Sequence, residues 1–257
     1  MQRTDVRRNS RFQEYFEAEV VDSYRVTPNM TRVCLGGDGL RSWVSSGVPD
    51  ERITIAIPAP NQSAPPRPRV RDGRWHYQEP KPLSRAYTVR RVNPGTIVID
   101  FVVHEGGAAS SWATSSQPGD IVGLSLAQGW YRCPRGATAV LLVGDATALP
   151  AMSRIIEEAP AGLRIHAIAE VATPDDKQVL ASRADVTYEW ILGTGMGRSP
   201  SSLPSAVLAR SFAAENTYVW VAAEAGATQS IRKILRRERE VSNSMMTITG
   251  YWRSGAG

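Results

Sequence analysis

AVLLVGDATALPAMSRIIEEA, residues 139–159, is where the chain changes its period. AVLLVG is a continuous apolar run of strand length, and LPAMSRIIEEA then sets its apolar residues at helical spacing. A strand that is apolar on both faces and runs straight into a helix suits a parallel sheet covered on both sides. The pattern continues downstream. LRIHAIAEV reads as a strand, a short polar helix follows, and VTYEWI is again a strand; SLPSAVLARSF is a helix, NTYVWVAAE a strand and TQSIRKILRREREV a helix. This alternation predicts a parallel α/β sheet.

Upstream the period is different. FEAEVVDSYRV, TRVCL, RITIAIP, AYTVRRV, TIVIDFVV and DIVGLSL are short, β-branched and alternating, and Gly, Pro or Asp separates them. Asn93-Pro94-Gly95 between two of them is a hairpin signal. Six strands at this spacing predict a small antiparallel β-barrel. The boundary falls near Pro134–Ala137, which gives an N-terminal barrel over 12–135 and a C-terminal, nucleotide-binding-type α/β domain over 136–257. Residues 58–82, rich in Pro and Arg, read as a long surface loop that cannot continue a sheet; it is either a tolerated insertion or a cover for a site. The last helix, expected over 228–242, sets Ile231, Ile234 and Leu235 on one face. Its arginines fall on the others, which suits a solvated surface.

Composition narrows the function classes. The 257 residues are 42% hydrophobic and 21% charged, the balance of a soluble globular protein. No apolar run has the length of a membrane span, so no membrane insertion is expected. The basic N-terminus has no apolar core of the kind a secretory signal needs, so a cytoplasmic protein is expected. Cys34, Cys133, His76, His104 and His166 show no metal-ligand spacing, and the two cysteines are expected as free thiols. A net charge of +5 favours anionic partners. Its arginines are scattered rather than striped, which speaks against nucleic acid. No apolar stripe asks for a second copy, so a monomer is expected.

Two segments stand out. PLSRAYTVRR, residues 82–91, puts Arg85, Tyr87 and Thr88 on a barrel strand that needs neither a phenol nor a guanidinium to pack. HEGGAASSWATSSQPGD, residues 104–120, has Gly106-Gly107 for close backbone approach, with Ser110 and Ser111 where a helix would begin. Free N–H groups at a helix start suit a phosphate, although an ordinary Gly-rich turn reads the same way. GTGMG, 193–197, falls short of a dinucleotide fingerprint because Arg198 stands where the last Gly would be; it reads as a loop.

R-x-Y-T followed by G-x-x-S at a helix start resembles the FAD-binding half of the ferredoxin-reductase superfamily. VVH, a Gly-Ala-Ser-Trp-Ala helix, PGD, VGDATALPAM, YVWVAAEAGATQSIRKIL and a terminal GYWRSG, in this order from about residue 14 onward, look more narrowly like the siderophore-interacting proteins, FAD-dependent ferric-siderophore reductases. The resemblance implies that Arg85, Ala86, Tyr87 and Thr88 contact the flavin and its phosphates. It implies that His104, Gly107, Ala109 and Ser110 hold the ribityl and pyrophosphate region. Asp145 and Thr147 would complete the pocket, as an N-cap also could, and Trp252, with Tyr251 beside it, would shield the ring. The chain departs from the family at Ala108 and Ala146, where Pro and Glu are usual, and at Ala222, where the usual AGE lacks its Gly. AQGWYRCPRG replaces a Gly-Pro-Arg-Gly turn, leaving Arg132 and Arg135 as stand-ins for its basic residue, and Arg52 stands where Lys is frequent.

No Ser-His-Asp set, Cys-His pair or paired carboxylates is visible, which suits chemistry carried by a cofactor. The expected function is reduction of Fe(III) in a ferric siderophore by FAD with electrons from NAD(P)H. Arg52, Arg132 and Arg253 are the expected contacts to an anionic siderophore. Two alternatives stay open: a flavin-dependent oxidoreductase for another acceptor, and a non-catalytic flavin- or siderophore-binding module.

Overall fold

In a computed structural model that describes residues 11–60, 62–104, 106–193 and 200–255, the change of period at residue 139 separates two sheets. The elements run, in chain order, β1 (Phe16–Thr27), β2 (Met30–Gly36), β3 (Arg52–Ile57), β4 (Arg69–Arg71), β5 (Arg74–His76), β6 (Leu83–Asn93), β7 (Thr96–Val102), α1 (Ala108–Ser115) and β8 (Ile121–Leu124). There follow β9 (Ala139–Asp145), α2 (Leu149–Glu158), β10 (Arg164–Val171), β11 (Asp185–Leu192), α3 (Leu203–Ala209), β12 (Thr217–Glu224), α4 (Ala225–Arg237) and β13 (Met246–Trp252).

All six strands expected from the first half form, and they close into an antiparallel barrel in the order β1-β2-β7-β6-β3-β8. Alternation sets the inside: Phe16, Ala18 and Val20 of β1 are buried while Glu17, Glu19 and Val21 face out. Ile53, Ile55, Ile57, Val89, Ile97, Ile99, Phe101 and Leu124 fill the interior. Closure removes the sheet edges, which would otherwise invite pairing with another chain.

The second half is a five-stranded sheet in the order β11-β10-β9-β12-β13, with every pairing parallel. β9 is central, which explains why AVLLVG is apolar on both faces. Val140 and Leu142 pack beneath α2, and Leu141 and Val143 pack against α3 and α4. Glu224 caps α4, accepting hydrogen bonds from the Gly226 and Ala227 amides, so the helix starts before residue 228 and ends at Arg237. Its basic last turn favours the negative end of the helix dipole.

Three expectations need correction. The polar helix after β10 is only a 3₁₀ turn, Pro174–Asp176. Residues 58–82 are not structureless: β4 and β5 form a hairpin inside them, turned by Asp72 and Gly73 in the left-handed region. Trp75 anchors that hairpin, with ring centroids 5.3 Å from Phe12, 5.1 Å from Tyr15 and 6.2 Å from Tyr77. Finally, the chain end supplies a fifth strand, β13, paired with β12 from Met246 to Trp252. Of GTGMG, only Gly193 lies within the described residues. Cys34 and Cys133 are free thiols, and no helix among the described residues is long and apolar enough to cross a membrane.

Buried polar groups lock the two halves together. The Arg154 guanidinium of α2 reaches Glu51 and the Val89 carbonyl, both at 2.9 Å. Arg90 of β6 makes two 2.7 Å bonds to Glu157. Asp176 accepts from Thr27 and from both the backbone and side chain of Asn29.

Candidate functional site

A cavity of about 430 Å³ opens where the two halves meet. Its barrel wall comes from Arg52 of β3, Leu83 and Arg85–Thr88 of β6, Asp100 and Val102 of β7, and the turn into α1; Thr147, Pro150, Tyr251, Trp252 and Arg253 form the α/β wall. β6 is registered against β3 so that Tyr87 faces Ile53 and Thr88 faces Arg52. The Tyr87 ring packs on the core through Phe101, centroid to centroid 4.3 Å, and burial pushes its phenol up to about 12. It is therefore a neutral hydroxyl at physiological pH.

The turn after β7 is built for close approach. Gly106 takes a positive φ of 75°. A methyl group on Gly107 would lie 2.6 Å from His104 Nε2 and 2.8 Å from Ser110 Oγ, so any larger residue would have to displace those two side chains. The first turn of α1 has no side-chain cap, and Gly107, Ala108 and Ala109 bring its start to the cavity wall. Amide groups at such a start attract an anion. The lining includes Arg52, Arg85 and Arg253. Its one carboxylate, Asp100, is already bound by Arg32 at 2.7 and 2.8 Å and lies 3.9 Å from Arg90. The cavity is thus cationic.

Several residues singled out in the sequence do not line it. Ser110 is buried, and its hydroxyl donates to the His104 and Gly107 carbonyls. Asp145 is buried and accepts four hydrogen bonds: from Thr147 N and Oγ1, from the Glu224 amide at 2.9 Å, and from Trp252 Nε1 at 2.8 Å. Burial pushes its carboxyl above the usual range, against the pull of those four donors. Asp145 thus pins the chain end to the centre of the sheet. Arg132 turns back on the Tyr131 and Gly129 carbonyls. Arg52, Arg85, Ala86, Tyr87, Thr88, His104, Gly107, Ala109, Thr147, Trp252 and Arg253 do come together on the wall.

Residues 19–129 match the model of a siderophore-interacting FAD-binding domain, and residues 137–255 that of a siderophore-interacting protein. The ferric vibriobactin reductase ViuB of Vibrio cholerae is 31% identical over 90% of this chain and 86% of its own length. The chain belongs to the siderophore-interacting protein family. The crystal structure of a siderophore utilization protein from T. fusca superposes with a TM-score of 0.85 at 32% identity, covering 95% of this chain and 94% of that one. The NADPH-dependent ferric-chelate reductase of Escherichia coli is 24% identical over 96% of this chain and 95% of its own length.

Sequence reasoning missed part of what this siderophore-interacting protein uses to shape its cavity. Pro150, Leu83, Asp100 and Val102 also line it. The Arg52 guanidinium on that wall lies 4.5 Å from the Trp130 ring centroid. AQGWYRCPRG carries that aromatic within a segment that departs from the family pattern.

Proposed function

We propose that this chain binds FAD in the cavity and reduces Fe(III) held by a siderophore, with NAD(P)H as the donor. The observation that carries the proposal is a cationic cavity walled by both halves, entered by the start of α1 and by Tyr87, Thr88 and Trp252. Those groups fit a dinucleotide that is flat at one end and doubly anionic in the middle. The α1 amides and Arg85 meet the pyrophosphate, Gly107 lets it come close, and Tyr87 and Trp252 bound the ring. Bound there, FAD supplies the step from a two-electron donor to a one-electron acceptor, which no side chain here provides. One NAD(P)H then reduces two Fe(III) complexes, yielding NAD(P)⁺, a proton and two Fe(II). Siderophores hold Fe(II) far more weakly than Fe(III), so the metal leaves.

The names of ViuB and of the E. coli reductase support this acceptor and this donor. The two units proposed for the work are 12–135 for the flavin and 136–257 for the nicotinamide.

The test begins with the visible spectrum of the purified protein, with and without added FAD. A stoichiometric flavin spectrum, bleaching by NAD(P)H, and Fe(II) trapped by a chromogenic chelator are the expected results. A colourless protein that takes up no FAD sinks the proposal. Flavin that NAD(P)H does not bleach leaves a binding module, and bleaching without Fe(II) release leaves a reductase of another acceptor.

Gly107→Ala offers a residue-level check. Its methyl group forces His104 out of place, and the expected result is at least a roughly tenfold weaker FAD affinity, by flavin fluorescence titration, with little change in melting temperature. An unchanged affinity would remove this turn from the flavin site.

A further inference from the structure

The β4–β5 hairpin has two unlike faces. Across it Arg69 pairs with His76 and Arg71 with Arg74, while Val70 pairs with Trp75. Paired residues share a face and neighbours along a strand alternate. Arg69, Arg71, Arg74 and His76 therefore stand on one side, and Val70 and Trp75 on the other. The Trp75 side is turned inward. Its ring packs edge-on against Phe12, Tyr15 and Tyr77, and its Nε1 donates to the Glu14 carbonyl at 3.1 Å. Tyr15 in turn lies close over Gly123 of β8, where a methyl group would meet its ring. Pro65 and Pro68, just before β4, are buried. The hairpin is seated on the barrel by its aromatic side and presents its basic side to solvent.

The basic side does no work within the fold. All four of its residues are exposed. Among the described residues, none of the three arginines makes a side-chain hydrogen bond or an ion pair. Arg71 and Arg74 stand directly opposite each other, and like charges in that position destabilise a strand pair. A cluster that costs stability and holds nothing in place points to a partner outside the chain.

We propose that this face docks the protein electrostatically on an anionic lipid surface, with the arginines on headgroup phosphates and no part of the chain inserted. A guanidinium fork matches phosphate oxygens two at a time. A protein partner would ask for an apolar centre to the interface, and this face has none. A single-stranded nucleic acid would ask for rings to stack on, and Trp75 and Tyr77 pack against each other on the opposite side. A headgroup layer asks only for clustered positive charge. The docking needs no flavin, so it stands or falls apart from the proposed reaction.

The experiment is co-sedimentation of the purified protein with vesicles of phosphatidylcholine alone and of an equal mixture of phosphatidylcholine and phosphatidylglycerol. The wild type is expected to bind the mixed vesicles, to ignore the neutral ones, and to be released as salt is raised. The triple variant Arg69→Gln, Arg71→Gln, Arg74→Gln is expected to bind about a hundredfold more weakly, from roughly fivefold per residue. Its melting temperature should hold or rise, because the lost side chains support nothing and two of them repel. A control triple variant, Arg183→Gln, Lys233→Gln, Arg237→Gln, removes the same charge from exposed positions elsewhere and should lose less than about tenfold. No binding to the mixed vesicles, or an equal loss in the two triple variants, overturns the docking face. Tighter binding to a single-stranded oligonucleotide than to the mixed vesicles at the same salt would assign the face to nucleic acid and overturn it as well.

Discussion

Replacing Arg154 with Met should lower stability by roughly 3–5 kcal/mol, because it strands the Glu51 carboxylate in the seam between the barrel and the sheet. The Glu51 side chain is 0% exposed and that of Arg154 7%. Glu51 keeps three donors, the Ser45 hydroxyl and the Ser46 amide and hydroxyl, but loses its charge partner. The Val89 carbonyl loses its side-chain donor at the same time. The double variant Arg154→Met with Glu51→Gln should recover part of the loss, since a buried pair replaced on both sides leaves no orphan charge. Urea unfolding followed by tryptophan fluorescence measures both. The seam also sets the cavity, because Val89 follows Thr88 on one wall and α2 carries Pro150 on the other. FAD affinity should therefore fall with Arg154→Met. A stability loss under about 1 kcal/mol, with no coupling between the two sites, would show that the Arg154–Glu51 pair is not needed to hold the halves in place.

None of that seam is legible in the sequence, for a physical reason. Arg154 and Glu51 are 103 residues apart, and a charged pair leaves no period behind it. The barrel strands and the βα repeats are legible because most of them bury one or two faces over a run of residues. RITIAI and AVLLVG therefore carry their environment in their own spelling. β13 escaped because TITGYW has a Gly in its middle and lies at a chain end, where it resembles a tail. That glycine is needed for closeness: a methyl group on Gly250 would lie 3.3 Å from the Ala225 Cα at the start of α4. β4 and β5 escaped because their arginines and prolines masked an Asp-Gly turn, which by itself signals a hairpin.

The candidate site divides along the same line. Tyr87 and Thr88 could be picked out because a phenol and a hydroxyl in that strand are not needed for packing, and Gly107 because two adjacent glycines ask for a close approach. Arg132, expected at an anionic siderophore, is not on the cavity wall. Arg52 and Gln128 bridge across two segments, and that bridge brings Trp130 over Arg52 while Arg132 folds back on its own backbone.

Asp145, expected in the cofactor pocket, lies behind its wall and holds Trp252 from there. Asp145→Ala leaves three backbone and indole donors without an acceptor, Thr147 N, Glu224 N and Trp252 Nε1, at the junction of β9, β12 and β13. Charge-assisted bonds are worth about 1.5–3 kcal/mol each before relaxation, so a net loss of roughly 3–4 kcal/mol is expected. Trp252, released from its anchor, should leave the cavity wall, and FAD affinity should fall with it. Asp145→Asn separates charge from shape. The amide keeps one acceptor but turns a donor toward other donors, so it too should destabilise. The pH dependence carries a definite sign. Burial raises the carboxyl above its unfolded value, so the folded state binds more protons over the interval between the two, and the wild type loses stability as pH rises through that interval. Asp145→Asn cannot titrate, so its deficit relative to wild type should be largest at the acid end of that interval and level off above it. Urea midpoints for both proteins across the acid-to-neutral range test this. A deficit that instead grows toward neutral pH would mean that the four donors outweigh burial and that the ionised carboxylate is the favoured form.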